Sequence, residues 1–379
     1  MLNKIGVASM LLLLWGGGPA TAQTYDQLSK WCYGDATDDQ TIQGCDAVIK
    51  SGRETPQAQT NAFFNRGLAY DNKGQYDRAI QDFDQAIKRN PSYAKAFHNR
   101  GLTYSNKGQY DRAIQDFDQA IKLDPSFANA FHSRGLAYSN KGQYDRAIQD
   151  FDQAIKLDPS NTNAVYRRGM AYYNKRQYDR AIQDFDQAIK LQPSHANAFQ
   201  GRGMAYMSKG QPDRALLDFD QAIKLNPSQP WAFYMRGVAH DLKGQYDRAI
   251  QDFDQAIKHN PSHASAFQSR CRARAMIDQL QAALADCNTS LRLSPNDPNM
   301  LDGRGFIYLK LGLFDVAIAD YDAALGIDPK EPRSLSLFGR GVALRKKGDP
   351  AGGDADIAAA KAIKSDIAEE FTKFGLKDF

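Results

Sequence analysis

The sequence predicts an all-α fold, a single solenoid of helix–turn–helix units. Three observations predict it. An Arg-Gly pair recurs every 34 residues, with its glycine at Gly67, Gly101, Gly135, Gly169, Gly203 and Gly237. Prolines keep the same interval, at Pro91, Pro125, Pro159, Pro193, Pro227, Pro261, Pro295 and Pro329. Within one period, Phe97, Arg100, Gly101 and Tyr104, then Tyr110, Ala113, Ile114, Phe117, Ala120 and Ile121, fall at helical spacing on either side of Lys107-Gly108. A fixed period of this size marks units that bury their apolar faces only against their neighbours.

The elements follow in chain order. Residues 1–22 read as a secretion signal: Lys4 supplies a basic start, Ile5–Trp15 an apolar run, and Ala20-Thr21-Ala22 a small-residue cleavage site before Gln23. The run is too short to span a bilayer comfortably. Residues 23–59 read as a degenerate N-terminal cap, a half-repeat. Its Asp39–Lys50 stretch echoes a second helix, with Ile42, Cys45, Val48 and Ile49 on the core side. Residues 60–367 form the solenoid, eight repeats of 34 residues and one of 36. In each, Pro stops the second helix because it disfavours helical geometry in the residue before it. Residues 368–379 are expected to complete a C-terminal capping helix and tail, with Ile363, Ile367, Phe371 and Phe374 spacing out one amphipathic face.

The register carries mostly an aromatic or Leu at position 4, Gly at 8, Tyr at 11, Ala at 20, an aromatic at 24, Ala at 27 and Pro at 32. Taking Gly67 as position 8, the repeats run 60–93, 94–127, 128–161, 162–195, 196–229, 230–263, 264–297, 298–333 and 334–367. This pattern resembles the tetratricopeptide repeat family. The resemblance implies a right-handed superhelix whose first helices line a concave groove, and a role in binding peptides or proteins.

Nine copies can be compared inside one chain. Position 7 is Arg in all nine, from Arg66 to Arg340, and position 23 is Asp in all nine, from Asp82 to Asp356. The family usually places an apolar residue at position 7, so a cation there needs a partner. A local i,i+4 pair such as Arg78 with Asp82 is one candidate. The Asp persists where Ala282, Val316 and Gly352 replace that local Arg, which favours bridges between helices of one repeat, such as Arg168 with Asp184. A ligand-binding role for these arginines is the alternative.

The second helices hardly change, and KGQYDRAIQDFDQAIK stands unaltered at 73–88, 107–122, 141–156 and 243–258. First helices vary at positions 2, 5, 6, 9, 12 and 13, the groove positions by resemblance. The candidate peptide-binding residues are Asn61, Asn65, Lys95, His98, Asn99, Asn129, His132, Asn163, Tyr166, Arg167, Asn197, Gln200, Trp231 and Tyr234. A carboxamide both donates and accepts, so a row of Asn suits an extended peptide backbone. Neutral drift after duplication would also leave such variation. His98 and His132 hold equivalent positions, but two His without a carboxylate or Cys make a weak metal set and read as groove residues. The basic clamp of chaperone-binding relatives is missing, with Phe64 and Leu68 at its first-repeat positions.

Four cysteines allow three pairings. In repeat 7, Cys271 stands at position 8 and Cys287 at position 24, positions that face each other in this fold. Cys45 also falls at position 24, with Cys32 before a shortened turn. The expected disulfides are therefore Cys32–Cys45 and Cys271–Cys287.

Composition bounds the rest. The 379 residues carry a formal charge of +4 and are 42% hydrophobic, with a mean hydropathy of −0.58. This excludes a polytopic membrane protein and a nucleic-acid footprint. Walker, zinc-protease and Gly-x-Ser-x-Gly motifs are missing, and no cofactor or metal is expected. The reading is a non-enzymatic scaffold, exported to the periplasm or secreted, that binds a protein or extended peptide without stable membrane insertion. The alternative is a self-assembling envelope protein whose groove is incidental.

Overall fold

The computed structural model describes residues 23–328, 333–373 and 375–376. The segment read as a secretion signal, together with Pro329 and Phe374, lies outside the described residues. Among the described residues every regular element is an α-helix, and they divide into two compact bodies, one ending at Leu157 and one starting at Asp158.

The first body opens with a complete short helix pair, α1 (Tyr25–Tyr33) and α2 (Asp38–Ser51), where the sequence suggested half a repeat. Thr24 caps α1, and Thr37 with Gln40 forms a reciprocal capping box on α2, so side chains set both starts. Three pairs follow: α3 (Pro56–Asn72) with α4 (Tyr76–Arg89), α5 (Ala94–Asn106) with α6 (Tyr110–Leu123), and α7 (Ala128–Asn140) with α8 (Tyr144–Leu157). Helix α3 starts ahead of its repeat because Thr55 caps it and Pro56 occupies the first turn.

The second body continues with α9 (Thr162–Asn174) and α10 (Tyr178–Leu191), α11 (Ala196–Ser208) and α12 (Pro212–Leu225), then α13 (Pro230–Leu242) and α14 (Tyr246–His259). Next come α15 (Ala264–Met276) and α16 (Leu280–Leu293), α17 (Pro298–Lys310) and α18 (Phe314–Ile327). It closes with α19 (Ser334–Lys347), α20 (Pro350–Ile363) and α21 (Ile367–Lys373). The continuous amphipathic helix expected across Ile363 and Ile367 is broken. The chain turns extended at Lys364, where other repeats carry the stop after their second helix. Ile363 is left half-exposed, while Ile367 and Phe371 are buried against the last repeats.

Inside the pairs of repeats 1–6 the contact is close because position 8 is Gly and has no side chain. A Cβ on Gly101 would stand 2.7 Å from the Phe117 ring, and one on Gly237 would stand 2.6 Å from that of Phe253. The position-24 rings Phe83, Phe117, Phe151, Phe185, Phe219 and Phe253 are fully buried. In repeat 7 the same two positions are Cys271 and Cys287, which the structure joins as a disulfide with Cα atoms 5.5 Å apart. Cys32 and Cys45 are joined across α1 and α2, with Cα atoms 4.6 Å apart.

The turn between first and second helices needs a left-handed residue. Gly108 supplies it at φ +72°, whereas repeats 4 and 7 force Arg176 and Asp278 into the same region at φ +58°.

Candidate functional site

The recurrent Arg and Asp meet in every repeat. Arg202 Nε donates to Asp218 Oδ2 at 2.9 Å and its Nη2 to Oδ1 at 2.6 Å, and the other eight pairs share this fork. Within each body the third guanidinium nitrogen reaches back to position 25 of the preceding repeat, as in Arg134 to Asp118 in the first and Arg202 to Asp186 and Arg236 to Asp220 in the second. One cation therefore ties three helices together. Hydrogen bonds donated to Asp218, acting against burial, hold Arg202 above its ordinary range. These guanidinium groups are occupied by carboxylates, which removes the ligand-binding alternative for them. Arg78, the local rival for Asp82, instead donates to Gln75 and lies over the Tyr70 ring.

A second ladder joins Lys107 to Asp77 and Lys141 to Asp111 in the first body, and Lys209 to Asp179 and Lys243 to Asp213 in the second. Sequence reasoning missed both this ladder and the third arginine contact. Their signal was present, since Lys at position 14 and Asp at positions 18 and 25 recur in most repeats.

The variable first-helix positions do not behave as one surface. Position 5 packs inward, against the position-24 ring of its own repeat and the residue at position 34. His98 lies 4.9 Å from Phe127 and 5.7 Å from Phe117, Tyr166 lies 5.1 Å from His195, and Tyr234 lies 4.8 Å from His263. Gln200 donates to Gln229 at 2.6 Å. In these repeats a ring meets a ring or an amide meets an amide, so the variation at position 5 is matched to position 34 of its own repeat. His98 is 8% exposed and Gln200 6%, and neither belongs to an accessible groove. Tyr166, His132 and Tyr234 are only half-buried, but their rings pack, tilted by about 45–50°, against Phe185, Phe151 and Phe253. Burial in this layer drives the imidazole of His98 down to about 4, with Nε2 of that ring 3.1 Å from Ser133 Oγ.

Position 6 is mixed. Asn65 donates to the Cys32 carbonyl at 2.9 Å, which commits it to the N-terminal cap, and Asn99 donates to its own helix at Lys95. Arg167 is exposed and lies over the Tyr166 ring. Position 2 is the accessible one. Asn61 accepts from Gln57, but Lys95, Asn129, Asn163 and Asn197 stand exposed, and the three asparagines make no side-chain hydrogen bond among the described residues. Trp231 is 40% exposed and stacks on His263. The accessible candidates are Lys95, Asn99 and Asn129 in the first body, and Asn163, Arg167, Asn197 and Trp231 in the second.

Among the described residues there is no group of His, Cys, Asp and Glu arranged to hold a metal ion, and no helix long and apolar enough to cross a membrane.

Descriptions of the tetratricopeptide repeat match residues 60–93, 94–127, 132–196, 166–230, 230–263 and 299–331, more than half of the chain. No curated protein matches the sequence. Similar solved structures include a tetratricopeptide repeat protein from Parabacteroides merdae, 18% identical with a TM-score of 0.51, covering 66% of this chain and 98% of that one. The C-terminal part of a TPR repeat-containing protein from Cytophaga hutchinsonii is 20% identical with a TM-score of 0.51, covering 63% and 98%. The pilF protein of Pseudomonas aeruginosa is 20% identical with a TM-score of 0.50, covering 55% and 94%. At these identities the likeness is one of fold.

Proposed function

The chain belongs to the tetratricopeptide repeat family, and from that premise we propose that it is a non-enzymatic scaffold binding an extended peptide or a protein partner along its first helices. One observation carries this reading. Position 2 exposes a carboxamide in repeat 3 of the first body and, at one register, in repeats 4 and 5 of the second, while the second helices barely vary. Each such group can donate to a peptide carbonyl and accept from a peptide N–H without reading sequence. Lys95, Asn99, Arg167 and Trp231 would add charge and apolar contact beside them. No nucleophile–base pair stands among these accessible residues. Two disulfide-bonded cysteine pairs favour an oxidising compartment, in line with export to the periplasm or secretion.

The test is affinity capture by the full chain from its native envelope fraction, repeated with Asn129→Ala, Asn163→Ala and Asn197→Ala combined. The partner should weaken by roughly 1 kcal/mol for each net hydrogen bond lost, with circular dichroism unchanged. Undiminished capture by the folded triple variant would refute the carboxamide row.

Self-assembly is supported by a separate observation. Leu123 and Leu157 in the first body, and Leu191 and Leu225 in the second, remain about 40% exposed at the ends of second helices. Light scattering over a concentration series distinguishes the two readings, because a monomer throughout removes assembly.

A further inference from the structure

Helix α21 follows repeat 9 but reaches past it. Its Phe371 ring lies 4.7 Å from Phe338 of α19 and 5.7 Å from Phe306 of α17, one repeat further back. A Cβ on Gly375, just after the helix, would stand 3.4 Å from Lys310 Nζ, also on α17. Phe306 and Lys310 hold positions 9 and 13 of repeat 8, groove positions by the family resemblance. Ile367 and Phe371, four residues apart on one face of α21, are both buried. The structure therefore seats an amphipathic helix across the first helices of repeats 8 and 9.

The seat is larger than its occupant. Each first helix from α9 to α19 has 13 or 14 residues, whereas α21 has 7. Beside it remains a cavity of about 310 Å³ bordered by α15, α17, α19 and α21. Glu370 and Phe371 form its α21 side, and Met276, Met300, Phe306 and Leu335 are among the residues facing them. Glu370 lies three residues after Ile367, on the same face, so α21 sets a carboxylate at the edge of mostly apolar walls. Lys364, itself exposed on one side, donates to that carboxylate at 2.5 Å. An extended Lys364 and exposed Ser365 and Asp366 join α21 to α20, so release of α21 unwinds no second helix.

We propose that the first-helix face of repeats 7–9 is a docking site for an amphipathic helix of a protein partner, and that α21 occupies it in the free chain. The partner carries apolar residues at i, i+3 and i+4, the last aromatic, where α21 has Ile367, Glu370 and Phe371. Its i+3 side chain enters the cavity that Glu370 does not fill, and this added apolar burial favours the partner over α21. The advantage is needed, because a tethered helix competes at an effective concentration on the order of millimolar. The apparent affinity is set by the fraction of chains whose α21 is released. This site deepens the scaffold reading without resting on the carboxamide row. Undiminished capture by the triple Asn variant refutes that row alone, and the measurements below test this site alone.

The probe is a synthetic peptide of residues 364–376 bearing Glu370→Leu, titrated into the full chain by fluorescence anisotropy. Phe371→Ser in the chain loosens α21, so that variant should bind one peptide at least tenfold more tightly than the unaltered chain. The peptide without Glu370→Leu should bind the variant about tenfold more weakly, and a peptide bearing Ile367→Ser and Phe371→Ser should not bind. Equal affinity for the two chains, no saturable binding to the Phe371→Ser chain, or equal binding of all three peptides would overturn the proposal. Hydrogen exchange on the unaltered chain gives a reading that does not depend on the variant folding. The α21 amides should exchange well before those of α19, and exchange of both together would overturn the release of α21. A concentration-dependent dimer of the unaltered chain that Phe371→Ser dissolves would seat α21 on a second copy and overturn its closure within one chain.

Discussion

Removing one carboxylate from the arginine fork provides a quantitative test of what holds the repeats together. Arg202 is tied to Asp218 by two hydrogen bonds and to Asp186 by one, and its side chain is 21% exposed. The two acids differ in environment: the Asp218 side chain is 5% exposed and that of Asp186 51%. Breaking a buried pair by deleting one partner costs about 3–5 kcal/mol, because a charge is left uncompensated. Asp186 still partners Arg202 after Asp218→Ala, so the expected loss falls below that range, to about 2–3 kcal/mol. Asp186→Ala removes a solvated contact and should cost about 0.5–1 kcal/mol, mostly lost in high salt. Urea unfolding followed by circular dichroism at low and high salt gives both values on one chain. Repeat arrays can lose cooperativity, so the transition slopes are compared before the midpoints. The reasoning fails if Asp218→Ala shifts the midpoint no more than Asp186→Ala, because burial would then not decide the cost.

Three further outcomes are expected. Replacing Cys271 and Cys287 together by Ala should destabilise the chain by about 3 kcal/mol on chain-entropy grounds for a separation of 16 residues, and non-reducing peptide mapping should recover that pair with no link to Cys32 or Cys45. Arg176→Gly should stabilise by up to about 1 kcal/mol, since Gly bears no Cβ penalty at φ +58°; a lower melting temperature would contradict this. The third concerns His98, whose folded imidazole titrates near 4, below its ordinary value. Unfolding therefore takes up a proton as pH falls through 6.5, and stability is lost between about 6.5 and 4, amounting to about 2 kcal/mol at pH 5. His98→Gln, which copies the residue of repeat 5, should lose that part of the acid sensitivity, whereas equal melting shifts in both proteins would refute the neutral buried imidazole.

The sequence by itself determined the helix pairs, their period and the partner of each position-7 arginine. A 34-residue repeat lets positions be compared within one chain, and a cation and an anion kept together at positions 7 and 23 point to each other. The close approach at position 8 was equally legible, because a recurring Gly opposite a recurring Phe leaves few other readings. What only the tertiary structure decided was which variable first-helix residues meet solvent. Lys95 and His98 are three residues apart on α5, yet Lys95 is exposed and His98 is covered by Phe127 from the following connection. Periodicity assigns a residue to a face of its helix, but the angle at which the next repeat stacks determines how much of that face is covered. The same cause hid the third arginine contact, whose carboxylate belongs to the preceding repeat. Tyr321 shows this at a single residue: its identity is plain in the register, while the burial of its hydroxyl without a partner among the described residues depends on Gly305 of α17 and Gly339 of α19 closing on its ring.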